Sequence, residues 1–267
     1  MENNFEKFDI HEESSKDLTS QKDIFKILKL ASLSKYVESD TQIWKARLNH
    51  IIDVDEKVKE ALLYIVDNYT KKRKNNPDKF GYMHCIEAAS LMAEYWFCES
   101  DEISAALLHD VWEDIPNWEE YLKSTYNENI VNLVKELTEK DKSWDSIEQK
   151  KASREERKLE EMKKISHFSP KVLALKLADQ TSNIAETVND LEKLSLEDRK
   201  NYWKWFNAGY DRQIWKYRAL SDTIYNRIQV CKNENLFTNK DEETELSLFF
   251  EKFKNLVDML DFLMKDE

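Results

Sequence analysis

Glycine and proline are scarce in this sequence of 267 residues, which has only two glycines and three prolines. Compact β proteins need glycine in their tight turns, and the phosphate loops of α/β nucleotide folds are built from closely spaced glycines. Gly81 and Gly209 lie too far apart in the chain to form such a loop. The composition therefore predicts an all-α protein.

Cysteine is also scarce, and the 53 acidic residues outnumber the 41 lysines and arginines. Three cysteines without a CxxC spacing give no zinc knuckle and no disulfide framework. The formal net charge of -12 disfavours non-specific binding to nucleic acid or to a membrane surface. The sequence has neither a membrane-spanning apolar run nor a signal-peptide pattern at its start. We therefore expect a cytoplasmic protein with no nucleic-acid partner and no membrane partner.

A chain of this length suits one large domain or one domain with appendages, and apolar residues at helical spacing mark several helices along it. Ser169 and Pro170 are typical of a helix start, and the helix they open is predicted from Val172 to about Leu191. A last amphipathic helix is predicted from Leu246 to Leu263. We predict an N-terminal extension over 1–50, a main domain over 51–232 and a C-terminal helical extension over 233–267.

The most informative stretch is His109-Asp110-Val111-Trp112-Glu113-Asp114, which follows an apolar run. Glu113 and Asp114 stand four residues after His109 and Asp110, so a helix would bring all four titratable groups to one side. Such groups repel one another unless a cation or a protonated carboxyl group neutralises them. The stretch therefore predicts a functional centre rather than a solvated face.

Two further residues are candidate partners for His109 and Asp110 in a metal site. His84 begins one predicted helix, and Asp179 lies inside another, apolar one, where an unpaired carboxylate would be costly. Two imidazoles and two carboxylates suit Mn²⁺, Fe²⁺ or Zn²⁺ better than Ca²⁺. The alternative is a structural network of satisfied ion pairs.

A histidine, then a His-Asp pair, then an aspartate, spread over three helices, resemble the HD metal-dependent phosphohydrolase superfamily. The finer patterns, HDxxED at 109–114 and KLADxxxN at 176–183, resemble its alarmone (ppGpp) hydrolase branch, found in Rel/SpoT proteins and in small alarmone hydrolases. The resemblance runs from about Arg73 to Arg227. It implies that the main domain is an HD-domain helical bundle with additional N- and C-terminal helices.

The same resemblance implies a hydrolase that removes the 3′-pyrophosphate from (p)ppGpp or a related small nucleotide. One Mn²⁺, or else Fe²⁺ or Zn²⁺, would be bound by His84, His109, Asp110 and Asp179. Glu113 and Asp114 would be catalytic and would orient or deprotonate the attacking water. The substrate would contact Arg73, Lys74, Lys176 and Asn183. A homo-oligomer is compatible with this interpretation.

Several alternatives stay open at the level of the sequence. Phe80 and Gly81 stand where the family usually has a proline and a tyrosine, and Gln180 stands where it usually has arginine. The chain could therefore be an HD nucleotidase or phosphatase for another nucleotide, or a non-catalytic metal-bearing module that binds nucleotides. Lys176 could simply pair with a carboxylate, and Asn183 could form a hydrogen bond between helices.

Overall fold

The computed structural model describes residues 41–73, 79–115, 118–138, 154–205 and 209–265. The chain divides into two compact units, Met1–Ser32 and Leu33–Glu267, and every described residue belongs to the second. Within these ranges the regular structure is helical, apart from one isolated antiparallel bridge between Lys72 and Phe80. The predicted all-α class is confirmed. The predicted domain boundaries stay predictions, since residues 1–40 lie outside the described ranges.

Twelve α-helices and one 3₁₀ turn make up the regular structure of the described ranges, apart from the Lys72–Phe80 bridge. In chain order they are α1 (Thr41–Val54), α2 (Glu56–Asn68), α3 (Tyr82–Glu94), α4 (Ser100–Leu108), α5 (Val111–Asp114), α6 (Trp118–Thr125), α7 (Glu128–Leu137), α8 (Arg154–Ile165), α9 (Pro170–Glu192), α10 (Leu196–Tyr202), a 3₁₀ turn (Trp203–Trp205), α11 (Tyr210–Asn233) and α12 (Lys240–Met264).

Helix α9 is the central element of the bundle. Its start follows the sequence expectation, because the Ser169 side chain accepts a hydrogen bond from the Val172 amide and Pro170 occupies the first turn. Most of its residues are buried, because α9 packs against α12 on one side and against α3 on another. An apolar helix that is covered on several sides is expected to be buried around most of its circumference. Any charged residue in α9 must therefore find its partners inside the protein.

Helices α3 and α4 complete the frame around α9. Helix α4 packs on α2, α3 and α7, and it begins with a capping box in which the Glu99 amide donates to the Glu102 side chain at 3.2 Å. It ends at Leu108, and a two-residue turn, His109 and Asp110, leads to the short helix α5. The end of α4 therefore lies beside the start of α3 and the middle of α9.

The segment before α3 is held by backbone hydrogen bonds. The Arg73 amide donates to the Lys79 carbonyl at 2.8 Å, and the Gly81 amide donates to the Lys71 carbonyl at 2.7 Å. These bonds place Arg73 beside the first turn of α3. None of the helices in the described ranges combines the length and the hydropathy that crossing a membrane would require.

The two faces of α12 give a direct test of the core. Phe253 is fully buried, whereas Phe262 on the same helix is 71% exposed. Phe253→Ala should lower the free energy of unfolding by about 3–5 kcal/mol, because it removes a buried ring and leaves a cavity. Urea denaturation monitored by circular dichroism measures this change.

Phe262→Ala is the matched control, and it should change the free energy of unfolding by less than about 0.5 kcal/mol. Equal effects of the two substitutions would contradict the packing of α12 described above.

Candidate metal centre

The four predicted metal ligands lie together, although the chain separates them widely. His84 lies in the first turn of α3, and Asp179 lies in the middle of α9. His109 and Asp110 form the turn after α4. Because α3 packs on both α4 and α9, the three segments meet at one place.

The ligand atoms of these side chains converge. The Nε2 atoms of His84 and His109 lie 3.2 Å apart. Oδ1 of Asp179 lies 3.2 Å from the His84 Nε2 and 3.9 Å from the His109 Nε2, and Oδ1 of Asp110 lies 3.2 Å from the His109 Nε2. Atoms of His84, His109 and Asp110 all lie within 4.8 Å of one another. Nitrogen and carboxylate donors in this arrangement fit one Mn²⁺, Fe²⁺ or Zn²⁺ ion.

Hydrogen bonds on the far side of each ring determine which histidine nitrogen faces this point. The Ser182 hydroxyl donates to the Glu87 carboxylate at 2.6 Å, so its oxygen is left to accept from the His84 Nδ1–H at 2.9 Å. The His109 Nδ1–H donates to the Ala106 carbonyl at 2.8 Å. Both rings therefore direct Nε2 to the common point, as metal-binding histidines do.

The Asp179 carboxylate is held on both of its oxygens. Oδ2 accepts from the Gln180 amide at 2.6 Å and from the Lys176 ammonium at 3.1 Å, and Oδ1 accepts from the Asn183 amide at 2.8 Å. Lys176 also pairs with Glu161 at 2.6 Å. These contacts fix the direction in which Asp179 offers Oδ1.

The protonation of the cluster follows from its charges. Burial alone would raise the pKa of Asp179, but Lys176 and the two histidines hold that pKa well below its ordinary value. Burial alone would lower the pKa of His109, but the Asp110 carboxylate raises it well above its ordinary value. Without a metal, His109 is therefore expected to keep a proton, which metal binding would displace.

Asp110 is supported by a tyrosine that directly follows α2. The Tyr69 hydroxyl lies 3.4 Å from Oδ2 of Asp110. The Tyr69 ring passes so close to Gly81 that a Cβ atom there would lie 2.5 Å from its Cζ. Glycine is thus required at position 81 to leave room for the aromatic ring that reaches Asp110.

Arg73 lines the same centre. Its guanidinium donates to Glu186 at 2.7 Å and to the Asn183 side-chain oxygen at 2.9 Å. Burial alone would lower the pKa of Arg73, but the Glu186 carboxylate raises it above its ordinary value. Arg73 is therefore a fixed, permanent positive charge on the wall of the centre.

A cavity of about 180 Å³ opens over the candidate ligands. It is lined by the four predicted ligands and by three of the predicted substrate contacts, Arg73, Lys176 and Asn183. Lys176 is paired with two carboxylates and Asn183 with Asp179, so both hold the centre together. Their roles as substrate contacts stay predictions.

Three predicted site residues are not placed by the structure. Lys74 lies outside the described residues. Glu113 and Asp114 belong to α5, directly after Asp110, but their side chains lie outside the description. Their predicted catalytic roles stay predictions.

Sequence reasoning missed the residues that orient the ligands. Ser182 and Glu186 follow Asp179 at helical spacings of three and seven, and Glu87 follows His84 by three residues. The missed signal was a set of polar residues on the same faces of two otherwise apolar helices. Tyr69 left no such signal, because it contacts Asp110 from another part of the chain.

Two histidines and two aspartates that converge from three packed segments define a candidate divalent-metal centre in an all-α fold. The family model described as HD domain matches residues 61–201, which is more than half of the chain. The chain therefore belongs to the HD domain family, and the predicted resemblance is confirmed. All four candidate ligands lie within the matched range.

The relatives belong to the branch that the finer patterns resemble. A Drosophila melanogaster protein named guanosine-3′,5′-bis(diphosphate) 3′-pyrophosphohydrolase MESH1 is 28% identical over 152 residues, 56% of this chain and 80% of the relative. A Xenopus tropicalis protein of the same name is 26% identical over 149 residues, 55% of this chain and 78% of the relative. A solved structure described as "A metazoan ortholog of SpoT hydrolyzes ppGpp and plays a role in starvation responses" aligns with a TM-score of 0.48 at 22% identity, over 74% of this chain and 96% of that chain.

The hydrogen bond behind His84 can be tested by its effect on metal binding. Ser182→Ala removes the acceptor for Nδ1–H, so the ring should lose its fixed tautomer and orientation. We expect the affinity for Mn²⁺ to fall by about 10- to 100-fold, as for other groups that orient metal ligands. Isothermal titration calorimetry on the metal-free protein measures this.

Ser90→Ala is the matched control, since Ser90 is also buried but donates to the Ile86 carbonyl within α3. It should leave the Mn²⁺ affinity unchanged. If both variants bind Mn²⁺ like the wild type, Ser182 does not orient a ligand.

The close approach of Gly81 and Tyr69 gives a second test. Gly81→Ala should displace the Tyr69 ring and lower the free energy of unfolding by about 1–3 kcal/mol, as overpacking does. It should also weaken Mn²⁺ binding, because Asp110 loses its neighbour. Urea denaturation and calorimetry report the two effects.

Gly209→Ala is the natural comparison, since no atom lies within 4 Å of a Cβ built at that glycine. Its effect on the free energy of unfolding should stay within about 0.5 kcal/mol. A Gly81→Ala protein as stable as Gly209→Ala would show that position 81 has room for a side chain.

Proposed function

We propose that this protein is a metal-dependent phosphohydrolase that removes the 3′-pyrophosphate from guanosine 3′,5′-bis(diphosphate) or a closely related nucleotide. The observation that carries the proposal is the pair of histidines with Nδ1 engaged and Nε2 directed to one point beside Asp110 and Asp179. The substrate class comes from the relatives, which are named for this reaction.

His84, His109, Asp110 and Asp179 would hold one divalent ion, and we propose Mn²⁺. Such an ion would lower the pKa of a bound water and neutralise charge on a phosphoryl oxygen. Because the Asp179 carboxylate is held by Lys176 and Gln180, this ligand needs little reorganisation to bind an ion.

Arg73 and Asn183 would position the nucleotide. The Arg73 guanidinium is fixed by Glu186, so its remaining N–H groups can donate hydrogen bonds to an anion while its orientation is kept. Asn183 donates from its side-chain amide to Asp179 and accepts from Arg73 with its oxygen. It therefore connects a candidate metal ligand to a residue that we propose binds the substrate. Lys74 would add positive charge to the same site.

Glu113 and Asp114 would act as the groups that orient and deprotonate the attacking water. They follow Asp110 in α5, which begins directly after the ligand pair. A carboxylate that follows the ligand pair is suited to general-base catalysis, because it can accept a proton from the water that attacks phosphorus.

The reaction is tested by incubating the protein with guanosine 3′,5′-bis(diphosphate) and Mn²⁺. We expect GDP and inorganic pyrophosphate as products, separated by ion-exchange chromatography, and no activity in the presence of a chelator. Glu113→Gln and Asp114→Asn should each lower kcat by about 100- to 10,000-fold, the contribution typical of a positioned acid or base.

Glu120→Gln is the control for these variants, because it removes an exposed carboxylate in α6 and should leave kcat unchanged. Release of orthophosphate in place of pyrophosphate would identify a different HD phosphohydrolase reaction. Binding of the nucleotide without turnover would favour a non-catalytic module.

A further inference from the structure

A second cavity, of about 190 Å³, lies next to the metal cavity. Arg73 and Asn183 line both cavities and form a common wall between them. The rest of the second cavity is lined by Glu186 and Thr187 of α9, by Trp203 and by residues of α11, and the Glu186 carboxylate is already paired with Arg73 and Lys79. A ligand that occupies the metal cavity and extends past Arg73 would enter this second space.

Helix α11 presents one face to the second cavity. Gln213, Lys216 and Tyr217 all line it, and their spacing of three and four residues places them on one side of the helix. Gln213 and Tyr217 are buried, and Lys216 is partly buried. Lys216 is thus the cation that α11 contributes to the cavity wall.

The other described cations of the two cavities already have carboxylate partners. Arg73 pairs with Glu186, and Lys176 pairs with both Glu161 and Asp179. Lys158 pairs with Glu161 at 2.8 Å. The positive charges of these three residues are therefore already balanced by carboxylates of the protein.

Lys216 differs from them. Within the described ranges no carboxylate lies within 4 Å of its ammonium group, which instead lies 4.0 Å from the centre of the Tyr217 ring. Burial and the positive charge of Lys158 lower the pKa of Lys216 to about 7, against the opposing effect of the Glu161 and Asp179 carboxylates. An ammonium group held in a cavity wall without a counter-charge is costly, and an anion beside it would restore its charged form.

We propose that Lys216 is a substrate-binding residue whose ammonium group contacts the 5′-phosphates of the nucleotide in the second cavity. This inference rests on the proposed function. It adds a binding place for the 5′-diphosphate, which the reaction does not cleave. If the 3′-diphosphate lies at the metal centre, the ribose lies beside Arg73 and Asn183. The 5′ arm then enters the second cavity, where Lys216 is, among the described residues, a cation with no carboxylate within 4 Å of its ammonium group.

The test compares wild type, Lys216→Met and Lys216→Arg with two substrates. The first is guanosine 3′,5′-bis(diphosphate), and the second is guanosine 3′-diphosphate with a free 5′-hydroxyl. For the first substrate, Lys216→Met should raise KM by about 10- to 100-fold, as expected for a lost charge-assisted hydrogen bond. For the second substrate its KM should match that of the wild type, and kcat should change little for either. Lys216→Arg should restore most of the affinity for the first substrate.

Arg212→Met is the matched control, since it removes a positive charge from an exposed position of the same helix. It should leave KM unchanged for both substrates, which separates a local contact from an effect of net charge. Equal KM changes for the two substrates, or no change with the first, would overturn the assignment of Lys216 to the 5′ arm.

A second measurement separates this inference from the proposed function. If the wild type hydrolyses neither substrate, the proposed reaction fails. Calorimetric binding of GTP, a 5′-phosphorylated nucleotide, to wild type and Lys216→Met then decides the role of Lys216. Weaker binding by about tenfold or more in the variant supports the contact. Equal binding, or no binding by the wild type, overturns it.

Discussion

Two hydrogen bonds on the outer sides of two imidazoles determine what this site can bind. The Ser182 hydroxyl and the Ala106 carbonyl each accept a hydrogen bond from an Nδ1–H group, so that His84 and His109 both turn Nε2 inward. A different tautomer of either ring would place an N–H group where a lone pair is needed. The geometry of the centre is therefore set as much by the residues behind the histidines as by the histidines themselves.

Those supporting residues belong to a network of charged side chains that joins the metal centre to Arg73. From His84 it passes through Ser182 to Glu87, which pairs with Lys79. Lys79 also pairs with Glu186, the partner of Arg73. Each charge in the network has an opposite charge beside it, and this is the condition under which charges are tolerated inside a protein. The network explains why an apolar bundle can keep an arginine and several carboxylates near its centre.

The sequence predicted the parts of the fold and site that leave a local pattern. The all-α class followed from the scarcity of glycine, and the candidate ligands stood out as titratable residues within or beside apolar helices. Tyr69 and Lys216 could not be found in this way, because their importance comes from contacts with distant segments. In sequence Lys216 is one lysine among the aromatic residues of α11, and only the packing of that helix places it in a cavity wall.

Because Gly81 contacts the Tyr69 ring, the size of the residue at position 81 limits the size of the residue at position 69. A side chain at position 81 would occupy space that the aromatic ring fills, so a homologue with a larger residue there must have a smaller one, or a rotated one, at position 69. The two positions are thus expected to vary as a pair across the family. Homologues that fill position 81 must support the equivalent of Asp110 by another group, and their metal centres should differ first at this ligand.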